Sequence, residues 1–261
     1  MKCLKAIIFD VDGTLAETES RGHLVAFNRA FGEMGLPWRW EPHQYAKLLE
    51  IGGGKERLVH FLSQQTADVP ASERVALAER LHQLKTAHYR QIVSTGELPL
   101  RTGISRVIAS ALESNVRLAV ATTSSEIAVH ALVKSTLGAN ALDHFDVIAA
   151  GDVVAHKKPA ADIYDYALHR LNLEATAAIA VEDSRIGMRA ALGAHLSVIV
   201  TPSEFTQHDD FTGAAAIIDH LGDPDSACQQ HSGCIDLQPM VTLKGIEQLL
   251  KKARRIDGDD A

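Results

Sequence analysis

The sequence is short of cysteine, of long apolar runs and of any leader segment, and each shortage excludes a class of protein. Its three cysteines, Cys3, Cys228 and Cys234, are too few for a disulfide scaffold, so a reducing compartment is expected. No apolar run approaches the roughly 20 residues that a membrane-spanning helix needs. The few residues before the first predicted strand are too short a stretch for a signal peptide. We therefore expect a cytoplasmic protein with no membrane anchor.

Positive charge is also scarce. The chain has 26 lysines and arginines against 33 aspartates and glutamates, which gives a net charge of −7. Proteins that track nucleic acid need a basic excess, so nucleic acid is not expected as a partner. An anionic small molecule would have to be met by local cations. At 46% apolar residues the 261-residue chain can bury a large core, and we expect a folded monomer.

The pattern of helices and strands divides the chain into two parts. Apolar runs of strand length, separated by helical segments, predict a parallel sheet covered on both faces, which is an α/β fold. Residues 16–97 carry helical spacing with no strand signal. We therefore predict a core of residues 1–15 and 98–261, with an all-helical cap of residues 16–97 inserted after the first strand.

The predicted elements follow from apolar periodicity and from start and stop signals. The predicted strands are 6–9, 117–121, 146–149, 178–181, 196–200 and 215–218. The predicted helices are 23–31, 56–65, 72–93, 104–113, 126–137, 160–171, 186–194 and 241–253. The polar segment 221–238 is predicted to be a surface loop.

Two aspartates, Asp10 and Asp12, follow the first strand, and Gly13 then allows a sharp turn. Residues two apart in an extended segment face the same way, so both carboxylates could converge on one point. Carboxylates held together repel each other unless a cation or a shared proton lies between them. One could attack an electrophile while the other moves a proton, which suits covalent catalysis on phosphate. An ordinary acidic turn is the alternative for this motif taken alone.

Three later predicted strands are followed by groups that complement these acids. Hydroxyls at 122–125, among them Thr122 and Thr123, could hold phosphate oxygens. Lys158 precedes Pro159 after the next strand, and a further strand ends in Glu182 and Asp183. A helix cap or a solvated surface explains each group singly. Because parallel strands bring their carboxyl ends to one edge, the coincidence favours a phosphoryl-transfer site that contains a metal.

These residues resemble the four ordered motifs of the haloacid dehalogenase superfamily, and the resemblance covers nearly the whole chain. The matching segments are Asp10–Thr14, Thr122, Lys158–Pro159 and Glu182–Asp183. The resemblance implies a Rossmann-like core and phosphoryl transfer that depends on Mg²⁺ and passes through an aspartyl-phosphate.

The resemblance also implies a role for each residue. Asp10 would be the nucleophile and a metal ligand, and Asp12 the general acid/base, with its backbone carbonyl on Mg²⁺. Thr122 and Lys158 would bind the transferring phosphoryl group. Asp183, with Glu182, would hold the metal. Lys158 is preferred to its neighbour Lys157 because it directly precedes a proline, as in the family.

A finer resemblance involves the segments 13–19, 53–57 and 149–164, which look like those of CbbY-type phosphatases in the β-phosphoglucomutase-like group. It implies that the substrate is a small sugar phosphate, xylulose-1,5-bisphosphate. The loop 222–236 departs from that pattern.

The predicted cap contains candidates for binding the rest of the substrate. Gly53 and Gly54 begin a predicted helix, with Lys55 and Arg57 nearby, an arrangement that suits a second phosphate. A flexible turn is the alternative. Glu17 and His23, just past the first linker, could contact sugar hydroxyls or could be ordinary helix-start polar residues. Cys228, His231 and Cys234 have metal-like spacing, but a structural zinc site needs a fourth ligand and none is evident.

Two other functions remain open on sequence grounds. A sugar-phosphate mutase would use the same scaffold and return the phosphoryl group to sugar, and it differs in how well the cap excludes water. A phospho-receiver signalling module also combines aspartates, Mg²⁺, threonine and lysine on an α/β sheet. Such modules lack an inserted helical block and an acid/base aspartate two residues beyond the nucleophile.

Overall fold

The computed structural model describes residues 4–66 and 70–258, with side chains described as far as residue 252, so Cys3 lies outside it. Its strands are β1 (Ala6–Phe9), β2 (Arg117–Thr122), β3 (Val147–Ala150), β4 (Ala178–Glu182), β5 (Ser197–Val200), β6 (Ala216–Ile218) and β7 (Gln230–Gly233). They form one seven-stranded sheet in the order β3-β2-β1-β4-β5-β6-β7. The first six strands pair in parallel, and β7 pairs antiparallel with β6. The structure thus confirms the predicted α/β fold.

The six predicted strands are confirmed to within one residue at either end. The prediction that 221–238 is only a loop is wrong, because β7 lies inside it. The segment Gln230–Gly233 is polar and mostly exposed, so it has none of the apolar alternation that marks a strand in sequence. This segment becomes a strand because it pairs with β6 at the edge of the sheet.

Nine α-helices occur in the part of the chain that is described. The first four are α1 (Leu24–Glu33), α2 (Pro42–Leu48), α3 (Gly54–Gln65) and α4 (Ala71–Ser94). They are followed by α5 (Ile104–Glu113), α6 (Glu126–Leu137), α7 (Asp162–Leu171), α8 (Arg185–Gly193) and α9 (Leu243–Gly258). The helix α2 was not predicted from the sequence; it has seven residues, with Pro42 in its first turn, where proline is tolerated.

The sheet is buried on both faces, which is why its central strands are continuously apolar. Ile7 and Phe9 of β1 join one apolar cluster with α5, α6 and α9. Ala6 and Ile8 point the other way and join a second cluster with α7 and α8. A central parallel strand with helices on both sides therefore presents no polar face.

The helices α1 to α4 have an apolar cluster of their own, built around the rings of Phe27, Phe31, Trp40 and Phe61. These helices lie between β1 and α5 in the chain, as an inserted cap requires. The two linkers that join them to the core run side by side, since Ala16 forms a bridge with Leu100. The boundaries given above for core and cap remain a prediction. Among the described residues, no helix is both long and apolar enough to cross a membrane.

Candidate active site

The carboxyl end of the sheet gathers the predicted core residues at one place. Asp10 directly follows β1, while Thr122 and Glu182 are the last residues of β2 and β4, the two neighbours of β1. Lys158 reaches the same place from the loop between β3 and α7. All four side chains are buried, with exposed fractions between 0% and 7%. Residues more than 170 positions apart in sequence are thus placed in one site by the parallel topology.

Lys158 is held between two carboxylates. Its Nζ lies 2.6 Å from Asp10 Oδ1 and 2.6 Å from Glu182 Oε1. Burial alone would lower the pKa of Lys158, but the two carboxylates outweigh it and raise the pKa above its usual value. The neighbouring Lys157 instead bonds to Asp152, with its Nζ 2.7 Å from Oδ1. Lys158, and not Lys157, is therefore the cation beside Asp10.

Asp10, Glu182 and Asp183 form an acidic cluster in which one ligand atom from each lies within 4.8 Å of the others. Burial raises the pKa of Asp10, and the charges of Glu182 and Asp183 raise it further against the pull of Lys158. Burial and Glu182 likewise raise the pKa of Asp183. Three carboxylates against one ammonium leave an excess of negative charge. A hard divalent cation with oxygen ligands fits this donor set and would balance that excess.

Gly13 and Ser203 shape the surroundings of Asp183. Gly13 has φ +85°, and a Cβ there would overlap the Asp183 carboxylate. Ser203 Oγ donates a hydrogen bond of 2.5 Å to Asp183 Oδ2. Only glycine allows the turn after Asp12 to pass this close to the acidic cluster.

Asp12 points to a separate set of donors. Its Oδ1 accepts hydrogen bonds from Thr18 Oγ1 at 2.5 Å and His23 Nε2 at 2.7 Å, and its Oδ2 accepts one from Ser124 Oγ. Burial favours the protonated acid, but His23 and the two hydroxyls outweigh it and hold the pKa of Asp12 well below its usual range. His23 is fixed by stacking on Tyr89, with ring centroids 4.1 Å apart. Asp12 is therefore an ionised carboxylate at neutral pH, held in place by three donors.

A cavity lies between the cap and the carboxyl end of the sheet. The core contributes Asp10, Asp12, Thr122, Thr123, Lys158 and Asp183 to its wall. The cap contributes Glu19, His23, Gly54, Arg57, His82 and Lys85. A ligand in this cavity would contact the carboxylates on one side and cap cations on the other.

The other predicted cap residues lie around this cavity in different ways. Arg57 lines it, but its guanidinium donates to Leu48 O at 3.0 Å and Tyr45 Oη at 2.9 Å, so it also holds the cap together. Gly53, with φ +96°, and the half-buried Lys55 are not part of the wall. Glu17 lies outside it as well, 3.2 Å from Arg101 Nε. Gly53, Lys55 and Glu17 are thus not among the residues that line the cavity. Their contacts with a substrate remain a prediction.

Lys85 is a cation of the cavity wall that was not predicted from the sequence. It is 6% exposed, and its Nζ lies 4.9 Å from the ring centroid of Phe27 and 5.4 Å from that of Tyr89. Burial lowers the pKa of Lys85 to about 8, although Asp12 and Glu19 oppose the shift. A signal was present in the sequence, since a lysine interrupts the otherwise apolar stripe of α4.

His82, one turn before Lys85, also lines the cavity and was also missed. Burial and the charge of Lys85 lower the pKa of His82 to about 4, so its ring is neutral at pH 7. Arg101 supports the site from outside the cavity wall and was missed too: its guanidinium donates to the carbonyl oxygens of Gly13, Thr201, Pro202 and Asp219. It thereby ties the turn after Asp12 to the loop after β5.

The chain is similar to known proteins both in sequence and in structure. Residues 7–201 match the family described as haloacid dehalogenase-like hydrolase. The chain is 44% identical over 229 residues to the protein CbbY (plasmid) of Cupriavidus necator, covering 87% of this chain and 90% of that one. A crystal structure of CbbY from Rhodobacter sphaeroides with phosphate superposes with a TM-score of 0.77 at 45% identity, over 83% of this chain and 94% of that one. A mutant of the same protein, solved with xylulose-1,5-bisphosphate, gives a TM-score of 0.77 at 44% identity over 85% and 98% of the two chains.

Proposed function

The chain belongs to the haloacid dehalogenase-like hydrolase family and is a sugar phosphate phosphatase, and we propose that its substrate is xylulose-1,5-bisphosphate. We further propose that the reaction depends on Mg²⁺ and passes through an aspartyl-phosphate on Asp10. The observation that carries the mechanism is the convergence of Asp10, Lys158, Glu182 and Asp183 at one end of the sheet. The substrate is supported by the relative that binds this bisphosphate at 44% identity.

Asp10 is proposed as the nucleophile. Its carboxylate lies on the cavity wall beside Lys158, so a phosphoryl group placed there would meet an attacking oxygen and a cation together. An Asp10 oxygen forms a bond to phosphorus as the bond to the sugar oxygen breaks. Water then attacks the phosphorus of the aspartyl-phosphate, which releases inorganic phosphate and restores the carboxylate. Thr122 and Lys158 would bind the phosphoryl oxygens in both steps.

Asp12 is proposed to move the protons. The leaving sugar oxygen must gain a proton, and the attacking water must lose one. The Asp12–His23 pair, joined by the 2.7 Å contact, can hold a proton for the first step. The Asp12 carboxylate can accept the proton of water in the second.

Mg²⁺ would be held by the carboxylates of Asp10, Glu182 and Asp183, with the backbone carbonyl of Asp12 as a further ligand. When bound, it would neutralise charge that builds up on the transferring phosphoryl group. The uncompensated negative charge of the cluster supports this assignment.

The cap is proposed to bind the part of the substrate that does not react. Gly53, Gly54, Lys55 and Arg57 are retained as candidates for the second phosphate, Glu17 and His23 for contacts to the sugar, and Thr123 for holding phosphate oxygens. Lys85 adds a cation that already faces the cavity. A monomer in the cytoplasm, acting on a small molecule, also remains a prediction.

The test is a phosphate-release assay over sugar mono- and bisphosphates with Mg²⁺, using Asp10→Asn as the matched control. We expect preferential release of phosphate from xylulose-1,5-bisphosphate and no turnover by the folded variant, because an amide is a very poor nucleophile. Interconversion of hexose phosphates without phosphate release would instead show the mutase. An Asp10→Asn variant that keeps more than about a hundredth of the activity would contradict the aspartyl-phosphate.

A further inference from the structure

Tyr164 lies beneath the phosphoryl site, and neither the motifs nor the mechanism above assigns it a role. It stands on α7 with no exposed surface. Its hydroxyl donates a hydrogen bond of 2.6 Å to Glu182 Oε1, the same oxygen that accepts from Lys158 Nζ at 2.6 Å. Its ring centroid lies 5.1 Å from Lys158 Nζ. One side chain therefore contacts both members of the ion pair that stands next to Asp10.

Glu182 depends on such donors because it has no exposed surface either. A carboxylate removed from water is stable only when hydrogen bonds and cations replace the lost hydration. Lys158 is shared between Glu182 and Asp10, so the place where its ammonium rests depends on how strongly Glu182 attracts it. The bond from Tyr164 satisfies part of that demand.

Loss of this hydroxyl would leave the Lys158 ammonium as the remaining side-chain donor to Glu182 Oε1 within the described part of the chain. The ammonium would then move toward Glu182 and away from Asp10. A transferring phosphoryl group would lose a cation held at a fixed place, and electrostatic stabilisation of this kind depends on groups that are already in position.

We propose that Tyr164 is a positioning residue that sets the location of the Lys158 ammonium through Glu182, so that the ammonium faces both Asp10 and the phosphoryl group. This proposal rests on the proposed function for the role of Lys158. It adds α7, an element of the core that does not line the cavity, to the parts of the chain that determine the rate.

The experiment is a double-mutant cycle on the binding of orthovanadate, a probe of the phosphoryl site, measured by calorimetry on the full chain with Mg²⁺. Tyr164→Phe keeps the ring and removes only the hydroxyl. We expect it to weaken vanadate binding about 10-fold in the wild-type background and less than about 2-fold in Lys158→Met, because the effect acts through that ammonium. Tyr166→Phe, two residues along the same helix, is the matched control. It should leave vanadate affinity unchanged both in the wild-type background and in Lys158→Met.

Turnover of para-nitrophenyl phosphate gives a second readout. For Tyr164→Phe we expect kcat to fall about 10- to 100-fold while KM changes less, since the cation acts mainly on the transition state. Normal kcat and vanadate affinity, or equal weakening in both backgrounds, would overturn the proposal. If wild type hydrolyses no sugar phosphate, the proposed function fails, whereas the vanadate cycle still tests Tyr164.

A variant with para-aminophenylalanine at position 164 keeps a ring and a donor of similar reach. It addresses the case in which Tyr164→Phe folds poorly. We expect this variant to restore vanadate affinity to within about 3-fold of wild type. A folded variant that binds vanadate as weakly as Tyr164→Phe would count against a role for the donated hydrogen bond.

Discussion

Replacing Lys85 by methionine should make the protein more stable and less active, and the size of the gain follows from the lysine's surroundings. The side chain is 6% exposed, and burial lowers its pKa from an ordinary 10.5 to about 8. Asp12 and Glu19 oppose this shift and Arg57 adds to it. At about 1.4 kcal/mol per pH unit, a shift of this size costs roughly 3 kcal/mol of folding free energy when the lysine is charged.

Contact with two aromatic rings returns part of that cost. Lys85 Nζ lies near the faces of Phe27 and Tyr89, and each such contact contributes about 0.5–1 kcal/mol. Methionine has a similar length and carries no charge, so Lys85→Met should raise the free energy of unfolding by about 2 kcal/mol at pH 7. The same change removes a cation from the cavity wall, so kcat/KM for a sugar bisphosphate should fall.

The dependence on pH has a definite sign. Between about pH 8 and 10.5 the unfolded chain holds a proton on Lys85 that the folded chain lacks, so wild-type stability rises with pH in this window. The advantage of Lys85→Met is therefore full below pH 8. It should shrink by roughly 1.4 kcal/mol per pH unit above pH 8.

Urea unfolding at pH 7 and pH 9, followed by tryptophan fluorescence, measures this effect. Both tryptophans of the chain, Trp38 and Trp40, lie in the cap cluster that surrounds α4, so the signal reports the unfolding of the relevant part. Lys47→Met, at an exposed position on α2, is the matched control and should change stability by less than about 0.5 kcal/mol. A Lys85→Met variant that is no more stable than wild type at pH 7, or whose advantage is the same at both pH values, would refute the reasoning.

Three further predictions concern the site. Asp12→Asn should slow turnover by about 10²–10⁴-fold, because the general acid/base is lost, and steady-state turnover near the wild-type rate would remove that role. Activity should disappear in chelator and return with Mg²⁺ but not with Ca²⁺, because the larger and looser coordination shell of Ca²⁺ would misplace Asp10. Full activity in chelator would contradict the metal site. Gly52→Ala should lower kcat about 10-fold or more, because a Cβ at Gly52 would overlap the Lys158 carbonyl oxygen and keep the cap from seating on the core. Gly32→Ala, where a Cβ meets nothing within 4 Å, is its control, and equal activity of the two variants would exclude this closing contact.

Much of the core could be predicted because its signals are local. Buried parallel strands are continuous apolar runs, so six strands were placed to within one residue at either end. The order of Asp10, Asp12 and Gly13 after β1 is also a local signal, but the expected convergence of the two carboxylates is not: the Asp12 carboxylate bonds to Thr18, His23 and Ser124, apart from the acidic cluster. Three of the four inserted helices, α1, α3 and α4, were predicted because their periodicity differs from that of the strands. In contrast, β7 escaped prediction because a polar edge strand exists only through its partner β6.

The sequence by itself determined that this is an α/β protein with acids, hydroxyls and a lysine at the ends of its strands. The family resemblance already favoured Lys158 over Lys157, and Lys158 Nζ lies 2.6 Å from Asp10 Oδ1. Only the tertiary structure decided that Lys85 rather than Lys55 faces the cavity. It also decided that Tyr164 contacts Glu182. These outcomes depend on distances between residues far apart in the chain, which are set by sheet order and helix packing. Apolar periodicity shows which face of an element is buried, whereas the neighbour that a buried polar group meets is decided when the elements pack together.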